Sequence, residues 1–178
     1  QHRITIWFDL PKHRIHGTVD VTIPQSVRTI LVGKSLRVTK FSINGKAAVA
    51  KVKDDRINLP SHPDGTHVRV DYEGVFSDDE RRSAMNLIAE KGAFLVSDWY
   101  PAAEGELAHF ALEAKVPDGF QGVSEAETIT THETAEGRLQ VFHFPHPVPH
   151  INFVMAPYVI NKDRHGDVEV ATYLLPED

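Results

Sequence analysis

The sequence predicts an all-β fold: an antiparallel β-sandwich or barrel-like domain of short strands with little or no helix. Three observations predict it. Apolar residues recur with a period close to two, the period of a half-buried strand. Eleven glycines and eleven prolines break the chain at short intervals, as turns between many short strands require. The one stretch with a claim to helix, Asp78 to Lys91, carries Met85, Leu87 and Ile88 in no sustained helical stripe. Gly92 closes it, so it reads as a loop with at most one helical turn. No repeat, low-complexity segment or linker divides the chain, and residues 1–178 read as a single β-domain.

In chain order, Ile4, Ile6 and Phe8 point one way while Thr5 and Trp7 point the other. Pro11-Lys12-His13-Arg14 reads as a hairpin loop leading to a second strand of Ile15, Val19, Val21 and Ile23, expected to bend or bulge near Gly17. Thr29-Ile30-Leu31-Val32 suits a short strand buried on both faces. Asn44-Gly45 is the clearest turn, because both residues take positive φ at low cost in a type I′ hairpin. Val49 to Val52 is expected to return along it. Pro63-Asp64-Gly65 is another turn, followed by clean alternation from His67 to Tyr72. Phe94 to Val96, Phe110 to Val116, Leu139 to Phe144, Phe153 to Met155 and Val168 to Tyr173 complete the strands.

Composition removes several function classes. A net charge of −6 does not favour nucleic acid, which calls for basic patches. With no cysteine, disulfides and thiolate metal sites are excluded. No apolar run approaches the roughly 20 residues needed to span a bilayer, so no transmembrane segment is expected. The first residues contain no signal-peptide core. The chain opens at Gln1 directly into a strand pattern, so an excised piece of a longer polypeptide is the expectation.

No catalytic motif stands out. His143, His146 and His150 lie close together, but Pro145, Pro147 and Pro149 force an extended backbone that forbids a helical ligand pair. No nearby acid or cysteine completes a metal ligand set, and a proline-stiffened loop is the simpler reading. His132-Glu133 begins like the H-E-x-x-H zinc helix, yet its last position is Glu136 and Gly137 follows. The flanks Thr128 to Thr130 and Leu139 to Val141 read instead as hairpin arms. Ser124 fails the G-x-S-x-G pattern, and no phosphate-cradling glycine loop is present. The carboxylate pairs Asp54-Asp55, Asp78-Asp79 and Glu125/Glu127 read as solvated charge. Trp99-Tyr100-Pro101 is a heavy apolar anchor with an extended exit, suited to core packing or to a wall beside a partner domain.

Taken in order, these segments resemble the N-terminal domain of the aminopeptidase N (membrane alanine aminopeptidase) family of zinc gluzincins. The resemblance spans essentially the whole chain. It rests on His2 to Pro11, Ile15-His16-Gly17 through Ile23, Tyr72-Glu73-Gly74 and Glu90 to Leu95. Trp99-Tyr100-Pro101, Phe110-Ala111-Leu112, Val116 to Gly119, Val123-Ser124, Pro157-Tyr158 and Val168 to Pro176 complete it. It implies a saddle-like β-domain that packs on a thermolysin-like catalytic domain of the same polypeptide. The H-E-x-x-H helix, its distal glutamate and a G-x-M-E-N strand belong to that catalytic domain, as does the zinc, and none of those motifs occurs here. No catalytic residue, metal ligand or cofactor is therefore expected in this chain. The family's first domain supplies a Glu or Gln near the substrate's free α-amino group. By position Glu90 is the nearest match, with Glu104 a further candidate. Trp99, Tyr100 and Pro101 are the domain-packing candidates, and the docking patch is expected to include them or the loop near His146.

Two other functions compete. One is a free-standing β-sandwich that binds carbohydrate or protein through an exposed aromatic platform. The other is a small β-fold hydrolase using the histidine cluster. The aminopeptidase-domain reading expects the catalytic domain of the same polypeptide as partner and, in the full-length protein, a peptide N-terminus.

Overall fold

Alternating apolar residues become pleated strands in the computed structural model, which describes residues 1–77, 85–105, 107–135 and 137–176. The strands are β1 (His2–Asp9), β2 (Arg14–Ile23), β3 (Thr29–Leu31), β4 (Leu36–Ile43), β5 (Lys46–Ala47), β6 (Val52–Lys53) and β7 (Arg56–Asn58). They continue with β8 (Thr66–Val75), β9 (Asn86–Ala89), β10 (Gly92–Leu95), β11 (Ala102–Ala103), β12 (Phe110–Val116) and β13 (Gln121–Val123). The last are β14 (Thr128–Thr134), β15 (Gly137–His143), β16 (Phe153–Ala156), β17 (Val159–His165) and β18 (Val168–Leu174). One 3-10 turn, Leu10–Lys12, links β1 to β2 and ends on His13 at φ 53°.

The main sheet has eight strands in the order β14-β15-β12-β1-β2-β8-β4-β5. Two four-stranded sheets, β13-β16-β10-β9 and β11-β3-β7-β6, lie beside it, and β17 and β18 form a two-stranded sheet among the described residues. The main sheet is mixed, because β1 runs parallel to β12 from His2↔Phe110 to Trp7↔Lys115. No tight turn joins those strands, so no local chemistry could announce their direction.

One core serves all three large sheets. Ile4, Ile6, Ile15, Val19, Val70, Leu112 and Phe142 from the main sheet meet Ile88, Leu95, Phe153 and Met155 of the second and Ile30 and Ile57 of the third. Phe153 is the hub, stacking on Phe8 at 5.6 Å and meeting Phe142 edge-on at 5.8 Å. Polar ties fix the sheets to one another. Gly122 N–H donates to Oε1 of fully buried Gln140 at 2.7 Å, joining the second sheet to the main one. Ala103 N–H donates to Nε2 of buried His2 at 3.0 Å, joining the third. The ring of His13 bonds Ile88 O through Nδ1 at 2.6 Å, anchoring β9 beneath the first hairpin.

Several local expectations change. Asn44 and Gly45 do take φ of 49° and 74°, but only β5 returns along β4. Val52 instead pairs with Ile57 in the third sheet. Gly17 makes no bulge, since β2 keeps unbroken register with β1 and β8. Its missing Cβ makes room for the Tyr72 ring, whose Cζ would lie 2.5 Å from it. The bulge falls in β4, between Val38 and Lys40. Of the segment read as a loop, residues 86–89 form β9, whereas residues 78–84, with Asp78-Asp79, lie outside the described residues. Asn86 explains the strand: its Oδ1 accepts from Val96 N–H at 2.8 Å and its Nδ2 donates to Ser97 O at 2.5 Å, closing the base of the β9–β10 hairpin.

Candidate functional site

The Trp99-Tyr100-Pro101 segment follows β10 and turns through Asp98, whose φ is 54°. A side chain at Gly33 would meet Asp98 O at 2.0 Å, so glycine there lets the two backbones touch. The segment drives its aromatics inward. Trp99 is fully buried, meets Tyr100 edge-on at 4.6 Å, and donates Nε1–H to Ile151 O at 3.0 Å. Tyr100 Oη accepts from Ile151 N–H at 3.2 Å, and burial pushes its phenol up to about 12. Pro101 is buried as well. These residues clamp the proline-rich stretch after β15 onto the core of this chain.

Glu90 lies elsewhere. It is exposed in the tight turn between Ala89 and Gly92 that joins β9 to β10. Glu104 follows β11, where its carboxylate accepts from Arg56 Nη1 at 3.0 Å. The two glutamates belong to different sheets.

His143 ends β15, while His146 and His150 sit exposed in the following loop. His132 and Glu133 lie on an exposed strand of the β14–β15 hairpin, with Glu133 accepting from Arg138 Nε at 3.1 Å. Glu136 lies outside the described residues. Among the described residues no group of three or more His, Asp or Glu could hold a metal. The described residues therefore do not fit a zinc ion. Ser124 Oγ donates to Asn152 O at 2.6 Å, and Glu125 accepts from Asn152 N–H at 2.9 Å, so both work as loop ties.

The exposed apolar surface is made by residues that sequence reasoning did not single out. On the outer face of the second sheet, Val123, Val154, Phe94 and Leu87 stand directly opposite one another across four strands. Phe94 is 49% exposed. The β17–β18 hairpin leaves Val159, Ile160, Val168, Val170 and Leu174 exposed. Tyr158 against Tyr173, edge-on at 5.7 Å, is the ring contact at its open end. A two-stranded ribbon is marginal by itself in water. On the main sheet's outer face Trp7 is 42% exposed, its ring stacked on His16 at 5.5 Å and 9°. Next to it Glu73 takes Arg37 at 2.6 Å, and that guanidinium holds its carboxyl below the usual range.

Solved structures give this geometry its context. A zinc metallopeptidase of the M1 family from Deinococcus radiodurans superposes with a TM-score of 0.73 at 16% identity, over 96% of this chain and 45% of that one. A form of it bound to a Tyr-Ser-Ala substrate gives 0.74 at 14% identity, with the same coverage. An aminopeptidase N family protein from Idiomarina loihiensis gives 0.67 at 12% identity, over 99% of this chain and 33% of that one. The chain has the fold of part of the M1 metallopeptidases. The fold expected from the resemblance is borne out, and the chain spans less than half the length of the structures it matches. Neither a protein-family description nor a curated protein matches the sequence.

Proposed function

We propose that this chain is the non-catalytic N-terminal domain of a zinc-dependent aminopeptidase. It packs on a catalytic domain of the same polypeptide and helps shape the site that holds a peptide's N-terminus. The observation that carries this reading is the fold match, which covers 96% of this chain but only 45% of the metallopeptidase. The exposed hairpin supports it: five large apolar side chains on β17 and β18 stand exposed in the described structure. The Val123-Val154-Phe94-Leu87 row offers a second apolar contact, on the sheet whose hairpin turn carries Glu90. Glu90 suits the role of pairing with a substrate ammonium because it is an exposed carboxylate that has no ion-pair partner among the described residues. Glu104 is the weaker choice, since Arg56 already occupies it.

Two measurements test the reading. Hydrogen exchange of β17 and β18 should be fast in the isolated chain and strongly slowed in a longer polypeptide that includes the following H-E-x-x-H segment. That longer protein should hydrolyse chromogenic amino-acid substrates, with Glu90→Ala raising KM more than it lowers kcat. Peptidase activity in the isolated chain, or an open reading frame that continues without a zinc motif, would overturn it. The carbohydrate-binding alternative would use Trp7 as its platform. Glycan binding lost in Trp7→Ala would favour that reading.

A further inference from the structure

Every long sheet in this chain must do something with its free edges, because an unpaired strand edge is a template for another chain. Most edges here are blunted. β5, β6, β11, β13 and β9 are between two and four residues long. Beyond the reach of β5, the edge of β4 carries Arg37 and Lys40 and is broken by the bulge between Val38 and Lys40. The β17–β18 hairpin carries Lys162, Asp163, Arg164 and Glu169. β14 is different. It runs seven residues, Thr-Ile-Thr-Thr-His-Glu-Thr, with no lysine, arginine or proline. Its register with β15 is unbroken from Thr128↔His143 to Thr134↔Gly137. Six of its seven residues are exposed, and among the described residues β15 is the strand it pairs with. Four threonines and an isoleucine also favour the extended state.

The geometry points to β14 as a homodimer edge, where a second copy of this chain adds its own β14 antiparallel across a two-fold axis through Thr131. The strand is self-complementary in that register. Thr128 meets the second copy's Thr134, Ile129 its Glu133, Thr130 its His132, and Thr131 its own counterpart. All seven residues pair and no like charges stand opposite one another. A two-fold axis normal to the sheet keeps each face continuous, because paired residues then lie on the same side. Ile129 and Thr131 stay on the core side, where Gln140 Nε2 donates to Thr131 Oγ1 at 3.4 Å. Two eight-stranded sheets become one. This inference uses none of the residues invoked for docking a catalytic domain and stands or falls separately.

The test is oligomeric state combined with site-specific crosslinking. Light scattering on the 178-residue chain should show concentration-dependent growth toward twice its 19.9 kDa mass. Thr131→Lys sets like charges directly opposite across the axis and should return the mass to that of one chain. Thr131→Val, equally β-branched, should keep the dimer. Because the chain has no cysteine, Thr131→Cys supplies a single thiol per copy. In an antiparallel pair its Cα lies within disulfide reach of its counterpart. Mild oxidation should therefore convert Thr131→Cys to a covalent dimer, whereas Glu133→Cys, facing Ile129 of the other copy, should crosslink far less. A chain that stays monomeric at every concentration overturns the inference. So does a dimer indifferent to Thr131→Lys, or equal crosslinking at both positions.

Discussion

Acid should unfold this domain partly through one histidine. His2 is 4% exposed in β1, and its ring stacks on Phe110 at 5.0 Å. Nε2 accepts from Ala103 N–H, so the ring proton sits on Nδ1, which is buried with no partner among the described residues. Protonation would turn Nε2 into a donor aimed at another donor and bury a full charge. Burial, aided by the nearby N-terminal ammonium, lowers the imidazole to about 4. In the unfolded chain the ring titrates near 6.5. The unfolded state therefore takes up the proton first. Stability is complete above pH ~6.5 and is lost as the pH falls toward ~4. A shift from 6.5 to about 4 corresponds to about 3 kcal/mol in full. At pH 5 the loss should be about 2 kcal/mol, against a typical domain stability of about 5–15 kcal/mol. His2→Gln keeps an acceptor for Ala103 N–H but cannot titrate. Urea unfolding of both proteins at pH 7 and pH 5 isolates the effect, because the surface carboxylates Asp9, Glu73 and Glu169 contribute equally to each. Wild type should lose about 2 kcal/mol more than the variant over that interval. Parallel losses in the two proteins would refute the assignment.

Other outcomes follow from the same packing. Gly17→Ala should destabilise by about 1–3 kcal/mol in chemical denaturation, because the new methyl meets the Tyr72 ring although the backbone there is unstrained. Gln140→Leu should cost about 1–3 kcal/mol by leaving the Gly122 N–H buried without an acceptor, and exchange at that amide should quicken. Trp99→Ala should cost about 3–5 kcal/mol, more than any substitution at Trp7. With Trp99→Phe, the remaining indole fluorescence should come from Trp7 and be readily quenched by acrylamide, whereas Trp7→Phe should leave blue-shifted, protected emission.

Much of the fold was legible because strand signals are local. The alternation of Ile4, Ile6 and Phe8 needs only neighbouring residues, and the Asn44-Gly45 turn needs only two φ angles. The β14–β15 hairpin was readable from its arms for the same reason, and this disqualified His132-Glu133 as a zinc helix. The strand β9 was not readable. Its order depends on Asn86 reaching Val96 and Ser97 and on His13, 75 residues away, bonding Ile88. The Trp99 segment was legible as an anchor, but which surface it would anchor was not.

The sequence by itself determined that this chain is a set of short pleated strands, because alternation and turn residues are properties of adjacent positions. Only the tertiary structure decided the parallel pairing of β1 with β12, the burial of Trp99 and Tyr100 against Ile151, and the strands left bare at β14 and β17–β18. Those outcomes depend on which distant segments compete for one core and one set of backbone donors. That competition is resolved by packing across tens of residues, where no local pattern carries the information.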